Sequence, residues 1–269
     1  MGATVPVTIE ASALLLSVAM LLAASFSDLK TREVSNKVWL VYGPLALALF
    51  IARMVYAWDA APIISVSAIA TFVVAFLLFH FGVMGGADSK ALMCFGLALP
   101  VPPAFFNSLW TAPIVLYPFP IAILANSFLL SIVSGVVILF RNISRGVSAK
   151  DLFRGFEKET LFRKLFVMFT SYKTSFSVLQ SSNYLYPAEK VEVQDSNPVR
   201  HLRVVSSAEE DRDKLVSSLQ DYNTQGLFSD GVWVTPGLPH LVFITASLLT
   251  VLLIGDLVMW MFFRVVGYS

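Results

Sequence analysis

Two aspartates, Asp28 and Asp88, stand where apolar stretches of this chain give way to polar ones, and both are placed to do acid–base chemistry. An ionisable side chain in or beside a hydrophobic run is costly and needs a reason. The set here is Glu10, Asp28, Asp59, His80, Asp88 and Asp256, with flanking basic residues. A lone acid at a helix boundary is ordinarily a cap or a solvated end, and Glu10 and Asp59 are read as such boundary residues. Asp28 and Asp88 have more informative flanks. Asp28 lies in Ser25-Phe26-Ser27-Asp28-Leu29-Lys30-Thr31-Arg32 and leads into a short polar loop containing Asn36. Asp88 follows Gly85, Gly86 and Ala87, three small residues that let another backbone, such as an extended peptide, come close. If the two carboxyls meet in a partly dry site, repulsion keeps both from ionising and the pair shares a proton near neutral pH. The ionised partner can then take a proton from water, while the protonated one hydrogen-bonds the oxyanion that forms when that water attacks a carbonyl.

Other residues have a functional and a structural reading side by side. Lys90 could steady the turn at Asp88, or be a basic residue at a membrane boundary. His80, two helical turns before Asp88, could tune the site or serve packing. Asp256 lies inside the last apolar run, where a lone acid is paired or functional; a structural partnership is favoured, because midspan is far from helix ends. The run Glu209-Glu210-Asp211-Asp213 could attract a basic peptide, but a solvated helix face accounts for it more simply.

The elements that carry these residues are membrane spans. The 269-residue chain is 57% hydrophobic and only 14% charged, too apolar for an ordinary soluble domain. Its net charge of +1 points to no nucleic acid, and its single cysteine, Cys94, excludes an internal disulfide framework or a cysteine-rich zinc site. Runs long enough to cross a bilayer, about 20 residues, lie near 8–27, 38–57, 62–83, 114–140 and 238–263. A sixth, 89–110, is interrupted by Pro100, Pro102 and Pro103. No basic residue precedes the first run, so it is expected to be a retained helix rather than a cleaved signal peptide. With six spans, Lys30, Arg32, Lys37, Lys90 and the basic residues of 141–236 fall on one side, leaving Arg53 and Arg264 on the other. Basic residues near helix ends stay in the cytosol. Both termini are therefore expected outside, and both aspartates at the cytosolic face.

The expected architecture is an all-α polytopic membrane protein of about six helices, with a small α+β cytosolic domain inserted before the last. Its parts are residues 1–140, a membrane domain of five helices; 141–236, the cytosolic module; and 237–269, the sixth helix. The module holds 13 of the 19 basic and 12 of the 18 acidic residues, which is what separates it from the spans. From Ser148 to about Phe176, Leu152, Phe153, Phe156, Leu161, Phe162, Leu165, Phe166 and Phe169 recur at helical spacing among basic residues. That pattern suits a helix lying on an anionic membrane face, or equally an amphipathic helix packed on its own domain. Val191–Val193 and His201–Val205 read as strands joined by an Asn197-Pro198 turn, and Ser207 with Glu210 as a capping box for a helix to about Tyr222. No internal repeat or low-complexity tract is visible.

An acid ending the first helix, a polar loop with Asn36, and a Gly-x-x-Asp motif with Lys90 two residues on together resemble the type IV prepilin peptidases. The likeness is nearest to their archaeal branch, the preflagellin (archaellin) and prepilin peptidases. These belong with the membrane aspartyl proteases named for a Gly-x-Gly-Asp motif, which include the presenilins. The likeness covers most of the membrane part and extends to Trp233–Pro239 and to Gly255-Asp256 in the last span. It implies that Asp28 and Asp88 are the catalytic aspartates, with Gly85 the first motif glycine. The third motif position departs, being Ala87, which puts in doubt any turn that needs glycine there. Bacterial members carry cytosolic Cys-x-x-Cys motifs and an N-methyltransferase activity. With one cysteine, only the peptidase carries over, and no zinc or other cofactor is implied. The implied substrate is a pre-archaellin or pre-pilin, whose short, positively charged leader is cut before a hydrophobic helix held in the lipid bilayer. Competing readings are a small proton-coupled transporter, motivated by His80 and Asp256, a presenilin-like protease cutting within the membrane, and a non-catalytic assembly scaffold. A transporter would place its acids near midplane within inverted repeats, which this sequence does not display.

Overall fold

The computed structural model describes residues 5–105, 118–144, 148–194, 197–203 and 211–267. The chain is mostly helical and divides into two compact units, one formed by residues 1–131 with 239–269 and the other by 132–238.

The first unit begins with α1 (Val7–Thr31), α2 (Asn36–Tyr56) and α3 (Ala61–His80), each apolar over nearly its whole length. Then come α4 (Gly86–Ala98) and the start of α5 (Phe119–Ser144). Among the described residues, four stretches are long and apolar enough to cross a membrane: α1, α2, residues 58–80 and α5. The pair α10 (His240–Leu253) and α11 (Leu257–Val266), bent by 63° at their junction, makes a fifth if the two are taken as one span. The stretch expected as the last span is therefore two helices: Gly255 adopts φ 122° and Asp256 restarts the helix as its N-cap, accepting from the Met259 amide.

The proline-interrupted stretch also differs from the expected 89–110. Helix α4 starts earlier, at Gly86, and stops at Ala98 before Pro100, where the ring would clash with the preceding turn. At 13 residues it is about 20 Å long, short of a bilayer's roughly 30 Å hydrocarbon core. Residues 106–110 lie outside the described part.

Ala13, Met20, Leu21 and Ala24 of α1, Tyr42 and Ala46 of α2, Ala91, Phe95 and Ala98 of α4, and Ile244 and Leu248 of α10 form the main buried cluster. Small side chains let these helices approach closely, and buried hydroxyls join them: Ser17 meets the Tyr42 hydroxyl at 2.9 Å and Ser25 meets Thr245 at 2.8 Å. Glu10 is not a wetted boundary residue as expected. It is 5% exposed, ion-paired with buried Arg53 at 3.8 Å, and accepts from the Ala104 amide at 2.9 Å. The folded chain brings the Glu10 carboxylate to Arg53, a partnership no local pattern announces.

The second unit starts within α5, which runs on to Ser144. It contains α6 (Ala149–Leu152), α7 (Leu161–Thr170), β1 (Tyr172–Thr174), α8 (Phe176–Ser181), β2 (Leu185–Pro187), β3 (Glu189–Gln194), β4 (Asn197–Leu202), α9 (Arg212–Thr224) and β5 (Val232–Pro236). Antiparallel pairing gives a sheet in the order β1-β5-β2 and a separate β3-β4 hairpin. Strand alternation sends Val232 and Val234 into one core with Phe176, Leu179 and Phe228, and Trp233 into another with Leu152, Phe153, Phe156 and Val167.

Three local expectations change here. The apolar series 148–176 is not one helix, because Gly155 at φ 86° and the turn after it separate α6 from α7. Asn197 and Pro198 are not a turn but open β4, opposite Gln194 and Val193 on an outer strand where proline's missing donor is tolerated. The Ser207–Glu210 capping box lies outside the described residues; α9 is capped instead by Asp211, which accepts from the Asp213 and Lys214 amides.

Candidate active site

Asp28 sits one turn before the end of α1, where Arg32 takes a left-handed φ of 59° and returns its amide to the Asp28 carbonyl. Asp88 sits in the first turn of α4. The turn between α3 and α4 explains the motif's small residues. Gly82, at φ 66°, closes α3 with the Val83 amide on the Leu78 carbonyl and the Gly82 amide on Phe79, a Schellman arrangement that requires a left-handed residue. Gly85 is the N-cap of α4 in extended geometry, and its amide is directed at the Asp88 carboxyl three residues on. This is the carboxylate half of a capping box, favoured by the helix N-terminus. A Cβ on Gly85 would stand 3.3 Å from Asp88 Oδ2, so what matters at this position is space. Ala87 lies within the helix at an ordinary φ, so the departure from a motif glycine costs the backbone nothing.

Helices α1 and α4 are in contact, and the charge of Asp28 acts on Asp88. The third wall is α10. The Ser25···Thr245 bond fixes α10 against α1 one turn below Asp28, and there the Leu241 amide, a first-turn donor with no partner inside its own helix, is directed at the Asp28 carboxyl. Its neighbour His240 places Nδ1 4.0 Å from Asp88 Oδ2. The His240 ring is stacked on Phe128 at 4.9 Å, and Nε2 lies 3.2 Å from the Ser127 hydroxyl of α5. Asp28 is also under the influence of Arg32. The two acids thus share one half-buried site walled by α1, α4 and α10, with a histidine beside it.

Among the other sequence candidates, Lys90 donates to Asn36 Oδ1 at 2.8 Å, tying the start of α2 to the first turn of α4. Gly86 has Phe79 of α3 at ordinary contact distance from where a Cβ would stand. His80 is elsewhere: exposed, stacked on Phe76 at 5.9 Å and edge-on to Phe81. Asp256 is also apart from the acids, accepting 2.8 Å from Asn126 Nδ2 while Asn126 Oδ1 receives the Leu257 amide at 2.9 Å. It holds the break between α10 and α11. Of the acidic run, Asp211 and Asp213 belong to the start of α9, and 209–210 are outside the described residues. His240 was not among the sequence candidates; the signal was there in a histidine directly after Pro239 at the start of an apolar helix. Among the described residues, no three His, Cys, Asp or Glu side chains gather as a metal would require.

Residues 15–140 match the type IV leader peptidase family, and residues 163–257 match the archaeal peptidase A24 C-terminus, type II. A preflagellin peptidase of Methanocaldococcus jannaschii is 31% identical over 261 residues, covering 92% of this chain and 95% of that protein. One from Methanococcus voltae is 28% identical over 247 residues, covering 88% and 92%. With a full-length relative this similar and family matches across both units, the chain belongs to the type IV leader peptidase family, in its archaeal preflagellin-peptidase branch.

Proposed function

We propose that this chain is a membrane-embedded aspartic endopeptidase that removes the leader peptide from preflagellin-type substrates, with Asp28 and Asp88 as the catalytic pair. The observation that supports the reading is that the two acids lie on contacting helices α1 and α4 and both border the start of α10, with the backbone amides of Leu241 and Gly85 directed at Asp28 and Asp88 respectively. Two like charges bordering one half-buried site favour a state in which one proton is shared. The ionised carboxylate takes a proton from water, and the resulting hydroxide equivalent adds to the scissile carbonyl carbon. The protonated carboxyl hydrogen-bonds the oxyanion and then passes its proton to the leaving amide nitrogen as the C–N bond breaks, so the protons balance over the cycle. His240 is a positioning residue that holds the Asp88 carboxyl from the α10 side.

The membrane arrangement follows from charge. Six crossings, with α4 and the proline-containing chain after it counted as one and α10–α11 as another, bring Lys30, Arg32, Lys37, Lys90 and the inserted unit to the cytosolic side. Both acids then face the cytosolic boundary, and both termini lie outside. A substrate whose hydrophobic helix stays in the bilayer would present its cut site at that depth, with its basic leader in the cytosol. One cysteine and no Cys-x-x-Cys pair support a peptidase without N-methyltransferase activity.

The test is co-expression with a pre-archaellin. Asp28→Asn and Asp88→Asn should each abolish leader removal while the protein stays in the membrane fraction. Complete processing by either single variant would sink the assignment. The mass of the product's new N-terminus, measured with S-adenosylmethionine present, should carry no added methyl group.

A further inference from the structure

Helix α7 divides its side chains sharply. Val167 is fully buried and points into the core formed by Leu152, Phe153, Phe156 and Trp233. On the opposite side Leu161, Phe162, Leu165, Phe166 and Phe169 are 72, 70, 52, 37 and 43% exposed. At 100° per residue these five form one stripe about 140° wide, centred nearly opposite Val167. Arg163 borders one edge and Lys164 the other, Arg163 paired with Glu159 at 2.9 Å and Lys164 lying over the Phe153 ring at 5.9 Å. Over 148–171 the sequence has five basic residues, including exposed Arg154 and Lys158, against Asp151, Glu157 and Glu159. Contiguous leucine and phenylalanine on a ten-residue helix is not a surface that water tolerates without purpose.

What covers it is indicated by α5. The last turns of that apolar helix hold the end of α7 directly: Asn142 Nδ2 donates to the Met168 carbonyl at 3.0 Å and to the Ser171 carbonyl at 2.7 Å. Gly135 has the Phe169 carbonyl 3.3 Å from where a Cβ would stand, and the Arg141 guanidinium lies 3.6 Å over the Tyr172 ring. Over the same stretch α5 exposes Ile132, Val133, Val137, Phe140 and Ile143. A span that is apolar to residue 143 must meet the headgroups near its end. The α7 terminus is attached at that level.

We infer that α7 is an in-plane membrane helix: its Leu161–Phe169 stripe lies in the headgroup and upper acyl layer of the bilayer crossed by α5, with Lys158, Arg163 and Lys164 toward anionic lipid phosphates. This rests on α5 being a span and not on the catalytic assignment. It anchors the inserted unit at the membrane surface through a contact additional to its two chain connections.

The test uses the full-length protein with Cys94→Ser in phosphatidylcholine–phosphatidylglycerol nanodiscs. Nitroxide labels go on single cysteines replacing Phe162, Leu165, Lys158 or Val137. Collision rates with oxygen, which concentrates in lipid, and with a water-soluble nickel chelate are then compared. The expected result is an oxygen-to-nickel ratio several-fold higher at 162 and 165 than at 158, and similar in sense to that at 137. Ratios at 162 and 165 equal to that at 158, beside a lipid-like 137, would place the stripe in water and overturn the inference for α7 alone. Exclusion of both reagents at 162 and 165 would mean that protein covers the stripe, and would equally overturn it. A water-like ratio at 137 would remove the span reading of α5, and the inference with it.

Discussion

His240 Nδ1 lies 4.0 Å from Asp88 Oδ2, although 152 residues separate the two in the chain. The contact links the first turn of α10 to the first turn of α4, and the adjacent Leu241 amide is directed at Asp28. One helix start therefore addresses both acids. His240→Phe keeps a ring that can stack on Phe128 but removes both nitrogen contacts. The expected outcome is a fall in kcat of up to about 10²-fold, the scale of a misplaced catalytic group, with KM little changed and an altered pH profile. A merely structural role would show instead as loss of folded protein in the membrane fraction.

Gly85→Ala tests whether space at the N-cap matters. Its φ of −68° suits any residue, so the backbone should not object. A methyl 3.3 Å from Asp88 Oδ2 must shift the carboxyl. Cleavage should slow by about tenfold or more with thermal stability nearly unchanged, measured by processing assays beside a melting curve of the purified protein. Gly86→Ala, where the methyl would meet Phe79 at an ordinary 3.4 Å, should be the milder of the two.

Asp256 separates a structural from a transport role. It caps α11 and accepts from Asn126 while 2% exposed. Asp256→Ala leaves both groups short of an acceptor and should destabilise by about 1–3 kcal/mol, visible as a lower melting temperature in detergent. The fraction that remains folded should still process its substrate. Loss of cleavage from fully folded protein would show that the break between α10 and α11 takes part in the chemistry.

The inserted unit should lose stability in acid. Burial pushes the Asp230 carboxyl up, but hydrogen bonds from Lys173 and Arg200 overcome this and hold it below its ordinary value of 3.8. A depressed carboxylate stabilises the fold fully above its unfolded value and loses that contribution as pH falls through 3.8 and lower. Asp230→Asn should therefore cost about 1 kcal/mol near neutrality, modest because the side chain is 38% exposed. The gap from wild type should close below pH 3.8, read from Trp233 environment or protease resistance of the unit. A gap independent of pH would mean that packing, not charge, is what the asparagine disturbs.

Much of the candidate site was legible from residue types. Asp28 and Asp88 stood out because carboxylates at the ends of apolar runs are expensive, and Gly85-Gly86-Ala87 announced a place where bulk is unwelcome. The Gly82 turn and the N-cap position of Gly85 are also local matters, settled within six residues by hydrogen-bond closure. Strand alternation at Val232-Trp233-Val234 followed from the period of two.

What the sequence by itself determined, then, is where apolar helices begin and end and which of their ends carry acids, because hydrophobic runs, caps and prolines act over a few residues. Tertiary structure alone decided which helix faces meet. A helix apolar all round, such as α1 or α10, has no polar side to show which way it turns. Hence the Ser25···Thr245 contact, the Glu10–Arg53 pair and the approach of His240 to Asp88 had no periodic signal. The same holds for α7 in reverse. Its amphipathic sequence fitted a helix on a membrane and a helix on its own domain equally, and the structure sends Val167 inward while leaving Leu161 to Phe169 outside. The two acids of α1 and α4 could be named from the sequence, but their neighbours depend on long-range packing that no short stretch of chain encodes.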